Sequence, residues 1–227
     1  MTQRYCILIV LICALVACSS QSSYQPSSQT HIVRKGETLS AIAWRYGKNT
    51  ADIARWNRLG DGSLIYPGQR IRLTGPAAVT RSTPPSSSNR KPASKSLPAI
   101  PSQPAPKLGW PTKGRISVEF GAKPGTGTGV LIDGKPGQSI VAVAPGRVVY
   151  AGNGLIGYGK LIILKHNNTY LSAYGYNASL LVKEGDDIRK GEKIATMGEG
   201  PERKARLHFE IRRNGKPVSP RQYLPAK

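Results

Sequence analysis

Residues 75–108 constrain this chain more than any other stretch. They hold 8 of the 18 prolines, many serines and five cations (Arg81, Arg90, Lys91, Lys95, Lys107), and no carboxylate. Such a segment cannot bury enough apolar surface to offset the entropy of ordering it. Its prolines favour extended, partly polyproline geometry. The chain is therefore expected to fold as separate units on either side of a linker. The 34 residues of that linker reach about 100 Å when fully extended at about 3.1 Å each.

Charge and the N-terminus narrow the compartment. A formal net charge of +21 calls for an anionic partner, whether nucleic acid, phospholipid headgroups or an acidic wall polymer. Met1 to Ala17 place one cation, Arg4, ahead of the apolar run Ile7 to Val16, the layout of a secretory signal. That run is shorter than the roughly 20 apolar residues needed to span a bilayer. It ends in Leu15-Val16-Ala17-Cys18, which resembles the bacterial lipobox. The resemblance implies that 1–17 is removed, that Cys18 is acylated, and that Ser19 directs the chain to the outer membrane, lipid-anchored on its periplasmic face. A plain signal with a chance cysteine is the alternative. Cys6 and Cys13 leave with the signal, so the mature chain has no cysteine but Cys18, no intramolecular disulfide and no Cys-based zinc site. Without Arg4 the charge is +20, and outside the cytoplasm nucleic acid drops out as a partner. Residues 18–29, rich in Ser and Gln, are expected to form a disordered tether.

Residues 30–74 read as β-α-α-β. His31 to Arg34 alternate like a short strand. Thr38 is placed to cap a helix carrying Leu39, Ile42, Ala43 and Tyr46 on one face, and Gly47 to end it. Thr50 is expected to cap a second helix bearing Ile53, Ala54 and Trp56, with Gln69 to Leu73 as the closing strand. Val33-Arg34-Lys35-Gly36-Glu37-Thr38-Leu39, Ile42-Ala43, Asn57 and Ile65-Tyr66-Pro67-Gly68-Gln69 closely resemble the LysM domain. The resemblance implies binding of N-acetylglucosamine-containing glycans, here peptidoglycan, in a groove between two loops. Those loops map to Gly36, Glu37, Thr38 and Leu39 on one side and to Ile65, Pro67 and Gly68 on the other. About half the surface of Leu39 and Ile65 is expected to serve the core instead.

Residues 109–227 are β-rich. Arg115 to Phe120, Gly129 to Ile132, Ser139 to Ala144, Gly146 to Ala151 and Lys160 to Lys165 are strand-like runs bounded by Gly or Pro, and no stretch has sustained helical periodicity. Trp110-Pro111, Val141 to Gly152, Gly157-Tyr158-Gly159-Lys160, Ile188 to Gly191 and Leu207-His208-Phe209-Glu210-Ile211-Arg212 together resemble the LytM-type (lysostaphin-like) zinc endopeptidase domain. The fold expected is α+β overall: a small LysM unit followed by a mainly antiparallel domain of the duplicated-hybrid-motif kind. Active members of that family bind zinc through an H-x-G-x-D motif and the second His of H-x-H, and use two further histidines. Carried over position by position, the first ligand falls on Gly127, the Asp on Leu131, one catalytic His on Tyr176 and the first His of H-x-H on Arg206. Of these five groups His208 alone remains. Asp133 shares strand parity with Leu131, but one His and one displaced Asp are too few donors for a hydrolytic zinc. No metal, cofactor or catalytic residue is therefore expected. His31 and His166 read as surface or packing residues.

A ligand-poor LytM-type domain joined to LysM in a lipoprotein resembles the NlpD/EnvC group. That resemblance implies a pseudoenzyme that activates a periplasmic N-acetylmuramoyl-L-alanine amidase during division or envelope remodelling. Strand parity puts His208, Glu210 and Arg212 on one face, with Arg206 beside them and Tyr176 across the groove, as the residues that meet the partner. Glu210 and Arg212 also read as a structural ion pair. Two other functions remain open from the residues alone: a peptidoglycan anchor, and an active zinc endopeptidase.

Overall fold

The computed structural model describes residues 30–60, 64–75, 102–124 and 126–226. The signal, Cys18, the tether and most of the linker lie outside them.

The first unit has the expected element order. Strand β1 (Thr30–Ile32) pairs antiparallel with β2 (Arg70–Arg72), His31 facing Ile71. Helix α1 (Leu39–Arg45) begins where the Thr38 hydroxyl accepts the Ala41 amide at 3.1 Å, and the chain leaves it through Gly47 at φ +60°. Helix α2 (Thr50–Asn57) is capped one residue earlier than the sequence suggested. Asn49, in extended geometry, accepts the Ala51 amide at 2.8 Å, and Thr50 is already helical. Both residue types cap well, so backbone geometry decides between them. Asn57 laces α2 to β2 by donating to the carbonyls of Ile53 and Arg72, each at 2.8 Å, and by accepting the Arg72 amide at 2.7 Å. Val33, Leu39, Ile42, Ala43, Ile53, Ala54, Ile71 and Leu73 form the core between these elements.

The second unit is one antiparallel sheet. Its strands are β3 (Ile116–Val118), β4 (Val130–Asp133), β5 (Ser139–Val141), β6 (Gly146–Gly152), β7 (Lys160–Lys165), β8 (Tyr170–Leu180), β9 (Asp187–Ile188), β10 (Lys193–Met197), β11 (Arg206–Arg213) and β12 (Lys216–Val218). They run in the order β3-β4-β11-β8-β7-β6-β9, with β12 on β11 and β10 joining β8 to β5. Strand β8 sits at the centre and was not foreseen. Its Ser, Gly and Asn read as turn residues, and burial on both faces erases the alternation that marks a half-exposed strand.

Alternation on β7 divides the apolar residues between two faces. Ile162 and Leu164 join Val130, Ile132, Tyr174 and Phe209 in the main core. Leu161 and Ile163 point the other way, with Tyr150, Leu155, Tyr158 and Ala173. That second face is covered by Ala41 and Trp44 of α1, which belong to no other core cluster.

Candidate functional site: a filled cleft and an open loop pair

The cleft is set by the pairing of β4 with β11, which places Leu131 opposite His208 and Asp133 opposite Arg206. Gly129 allows the close approach: a Cβ there would lie 2.4 Å from the Phe209 carbonyl oxygen. At the positions where a metal would be gripped, Leu131 is 2% exposed and Gly127, at φ +75°, has no side chain. Asp133 is already engaged. It accepts Arg206 Nε at 3.0 Å and the Ser117 hydroxyl at 2.5 Å, and lies 3.6 Å from Arg115. Arg206 is buried and also lies 3.7 Å from Glu202. Among the described residues no three His, Cys, Asp or Glu side chains cluster as a metal set. Leucine, glycine and a paired guanidinium do not fit zinc, which asks for three or four N, O or S donors.

His208 is tied into a network of the chain's own side chains. Its Nε2 lies 3.2 Å from Glu210, and its ring meets Tyr158 and Tyr176 edge-on, with centroids 5.2 and 5.8 Å away. Glu210 is 0% exposed and also accepts from the Thr128 hydroxyl at 2.7 Å, the Tyr158 hydroxyl at 3.2 Å and Arg212 Nε at 2.6 Å. Burial pushes its carboxyl up, but the His208 hydrogen bond and the Arg212 charge outweigh burial and hold it below the usual carboxylate range. Burial raises the Tyr158 phenol, and the Glu210 charge raises it further.

Arg212 is 4% exposed. Its Nη1 donates to the Trp44 carbonyl at 2.5 Å, and its guanidinium carbon stands 3.5 Å from the Trp44 ring centroid. A desolvated contact of that kind contributes about 2 kcal/mol. Tyr176 holds φ +61° in mid-strand, a left-handed conformation that a non-glycine residue adopts only when its surroundings enforce it. Its amide donates to the Tyr158 carbonyl at 2.8 Å, and its carbonyl accepts the Gly198 amide at 2.9 Å. Of the five residues expected to face a partner, Tyr176 is partly exposed, whereas Arg206, His208, Glu210 and Arg212 are buried. The sequence reading did not assign Thr128, Tyr158 and Trp44 to this network. Tyr158 had a local signal, lying between Gly157 and Gly159. Trp44 had none, because its partner is 168 residues away.

The LysM loops present the opposite picture. Gly36 turns at φ +79°, and the loop after it faces Pro67 and Gly68 because the Gly68 amide donates to the Val33 carbonyl at 2.8 Å. Glu37 braces the turn. One carboxylate oxygen accepts the Arg34 amide at 2.8 Å and lies 2.7 Å from His31 Nε2, while the other takes Arg45 Nη1 at 2.5 Å. Partial burial raises its carboxyl, the Arg34 amide and the His31 and Arg45 contacts lower it, and the net direction is down. Thr38 is occupied as a cap, and its hydroxyl donates to the Val149 carbonyl at 3.3 Å. Leu39 is wholly in the core and Ile65 packs partly against it. Gly36, Pro67 and Gly68 are exposed. Beside them Tyr66, a residue the sequence reading quoted but did not place in the groove, is 60% exposed, with its amide held by Gln69 Oε1 at 2.9 Å.

A β-α-α-β unit of LysM type beside a mainly antiparallel, peptidase-like sheet with few metal donors sets the class of protein. Residues 31–74 match the LysM domain, and residues 125–220 match peptidase family M23. The chain is 36% identical to the murein hydrolase activator NlpD of Escherichia coli, over 88% of this chain and 69% of that protein. It is 38% identical to the lipoprotein NlpD/LppB homolog of Pseudomonas aeruginosa, over 88% of this chain and 78% of that one. It is 39% identical to the outer membrane antigenic lipoprotein B of Haemophilus influenzae, over 82% of this chain and 46% of that one. The chain belongs to the NlpD/LppB family of lipoproteins.

Proposed function

We propose that this protein is an outer-membrane lipoprotein, anchored through Cys18 on the periplasmic side, that binds peptidoglycan through its LysM domain and activates a periplasmic N-acetylmuramoyl-L-alanine amidase, with no hydrolytic activity of its own. The observation that carries this reading is the filled cleft. Leu131 stands opposite His208, and Glu210 and Arg206–Asp133 occupy the remaining polar capacity. Hydrolytic zinc needs about three protein ligands and an open position to bring bound water to a pKa near 7. This cleft supplies neither. The scaffold around it persists, which suits a surface used for binding.

Activation then requires that the protein prefer the open form of the amidase to its closed form. A 100-fold preference corresponds to about 2.7 kcal/mol. On the wall side, backbone groups at Gly36, Pro67 and Gly68 suit the N-acetyl groups of a glycan, and Tyr66 suits a sugar ring face. Weak binding suffices there, because the lipid anchor holds the module close to the wall.

The test mixes the purified mature chain, a periplasmic amidase and dye-labelled sacculi. The expected result is no release by the chain alone, with or without added zinc, and faster release by the amidase in its presence. Cleavage of cross-links by the zinc-supplemented chain alone overturns this reading.

A further inference from the structure

Trp44 makes no contribution to the core of the LysM unit, so on a detached unit its indole would be a large exposed aromatic. Here it is 3% exposed, seated against Tyr158 and under the Arg212 guanidinium. Three more contacts extend the seam. Thr38 reaches the Val149 carbonyl on β6, Asn49 Nδ2 donates to the Asn168 carbonyl at 2.9 Å in the β7–β8 turn, and Lys48 lies against Gly215 in the β11–β12 turn. The LysM unit thus touches three separated segments on the cleft side of the M23-type domain. It closes over Arg212, which leads inward to Glu210.

We propose that the LysM domain is the resident occupant of the cleft-side face, and that binding an N-acetylglucosamine polymer releases it and opens that face to the amidase. This rests on the function proposed above. Two observations favour a plug over a permanent interface. The seam is incomplete: a cavity of about 580 Å³ lies between His31, Arg34 and Tyr46 on one side and Leu155, Ile156 and Tyr158 on the other. The cover over Arg212 is also a separate module: 26 residues, 76–101, join it to the point where Gln103, Lys107 and Leu108 dock on the sheet, and a stretch of that length spans about 80 Å at about 3.1 Å per residue. On departure Arg212 Nη1 loses the Trp44 carbonyl and regains a donor that suits a carbonyl or carboxylate of a partner. Coupling to the wall runs through Thr38, which is placed in the expected glycan groove and is also hydrogen-bonded to β6. A glycan that recruits Thr38 competes with the docked state, so wall binding and amidase binding favour the same open form.

Small-angle scattering of the full mature chain, paired with amidase titration, tests this. Trp44→Ala removes the seated ring. Ala41→Arg pries the seam apart from a second position outside the LysM core. Wild type is expected to be compact, and to expand with either substitution or on addition of a chitin hexasaccharide. Each opened form is expected to bind the amidase about tenfold more tightly, the gain for a face that is open one-tenth of the time. A wild type that is already extended overturns the plug. So do variants that stay compact, a hexasaccharide that leaves the wild type closed, or an opened chain that binds amidase no better than the closed one. If the variants open and no form binds any amidase, the activator reading itself fails and takes the coupling with it.

Discussion

The two grooves of this molecule use charge in opposite ways. In the LysM loops, the hydrogen-bonded cluster of Glu37, His31 and Arg45 sits behind the turn and leaves Gly36, Pro67 and Gly68 facing solvent. In the M23-type cleft, the Glu210–Arg212 pair and the Arg206–Asp133 pair lie within the groove and close it. In the LysM loops the braces lie outside the groove. In the cleft, where metal donors are few, the charges inside pair with one another, because an unpaired buried ion is costly.

The comparison is broken most forcefully at Glu210. Glu210→Ala leaves the buried Arg212 without its carboxylate and is expected to cost about 3–5 kcal/mol. Denaturant unfolding of the full chain measures it. Replacing Glu210 and Arg212 together by Leu is expected to cost less than Glu210→Ala alone, since no orphan charge remains. If the single and double changes cost the same, the pair does not close the cleft in the way described.

At Glu37 the expected loss is smaller. Glu37→Ala removes the Arg34 amide hydrogen bond, the His31 contact and the Arg45 ion pair at the edge of the LysM unit, worth about 1.5–3 kcal/mol where charged groups are involved. Hydrogen exchange of α1 and β1 amides reports it locally, while exchange across β8 and β11 is expected to stay unchanged. Spread of the loss into the sheet would mean that the two grooves are not independently braced.

How far these differences were legible in the sequence depends on the range of the contact. Thr38 as a cap, Gly47 as a stop and the shared face of His208, Glu210 and Arg212 follow from local spacing, and all three appear in the structure. The assignment of Gly127 and Leu131 to metal-ligand positions came from the resemblance, and not from local spacing. The central strand β8 was not readable, since Gly175 and Asn177 suggest a turn when their neighbours on β7 and β11 are unknown. Nor was the closure of the cleft: Thr128, Tyr158 and Trp44 reach Glu210 or Arg212 across 52 to 168 residues of chain, and no periodicity encodes that. Parity showed which side chains share a face, but not that the face is covered.

Acid separates the two units by a smaller margin. Burial pushes the His166 imidazole below its ordinary value, against the opposing hydrogen bond to the Pro145 carbonyl at 2.7 Å. A group whose folded pKa is depressed contributes stability above its unfolded pKa and loses it as pH falls toward the folded one. The sheet domain is therefore expected to start weakening below about pH 6.5, by no more than about 1.4 kcal/mol per pH unit for one proton. The LysM unit depends on Glu37, whose lowered carboxyl places its loss below the ordinary glutamate value of 4.5. Urea midpoints followed by exchange in each unit between pH 7 and 5 read the difference, and His166→Gln is expected to flatten the slope in the sheet alone.

The smallest stability effect belongs to Tyr66, and it sharpens the contrast between the grooves best. Its ring is exposed and packs in no core, so Tyr66→Ala is expected to change LysM stability by no more than about 0.5 kcal/mol. If the ring covers a sugar face, the same change weakens sacculus binding by about fivefold to tenfold, near 1–1.4 kcal/mol. Tyr176 gives the converse case. It is wedged against His208 and held at positive φ, so its loss is expected to register as stability and not as glycan affinity. A pulldown on purified sacculi, run beside thermal melts of both variants, separates affinity from folding. Glycan binding that is indifferent to Tyr66 would move the sugar off this side of the loop pair and leave the exposed backbone at Gly36 and Gly68 to account for it.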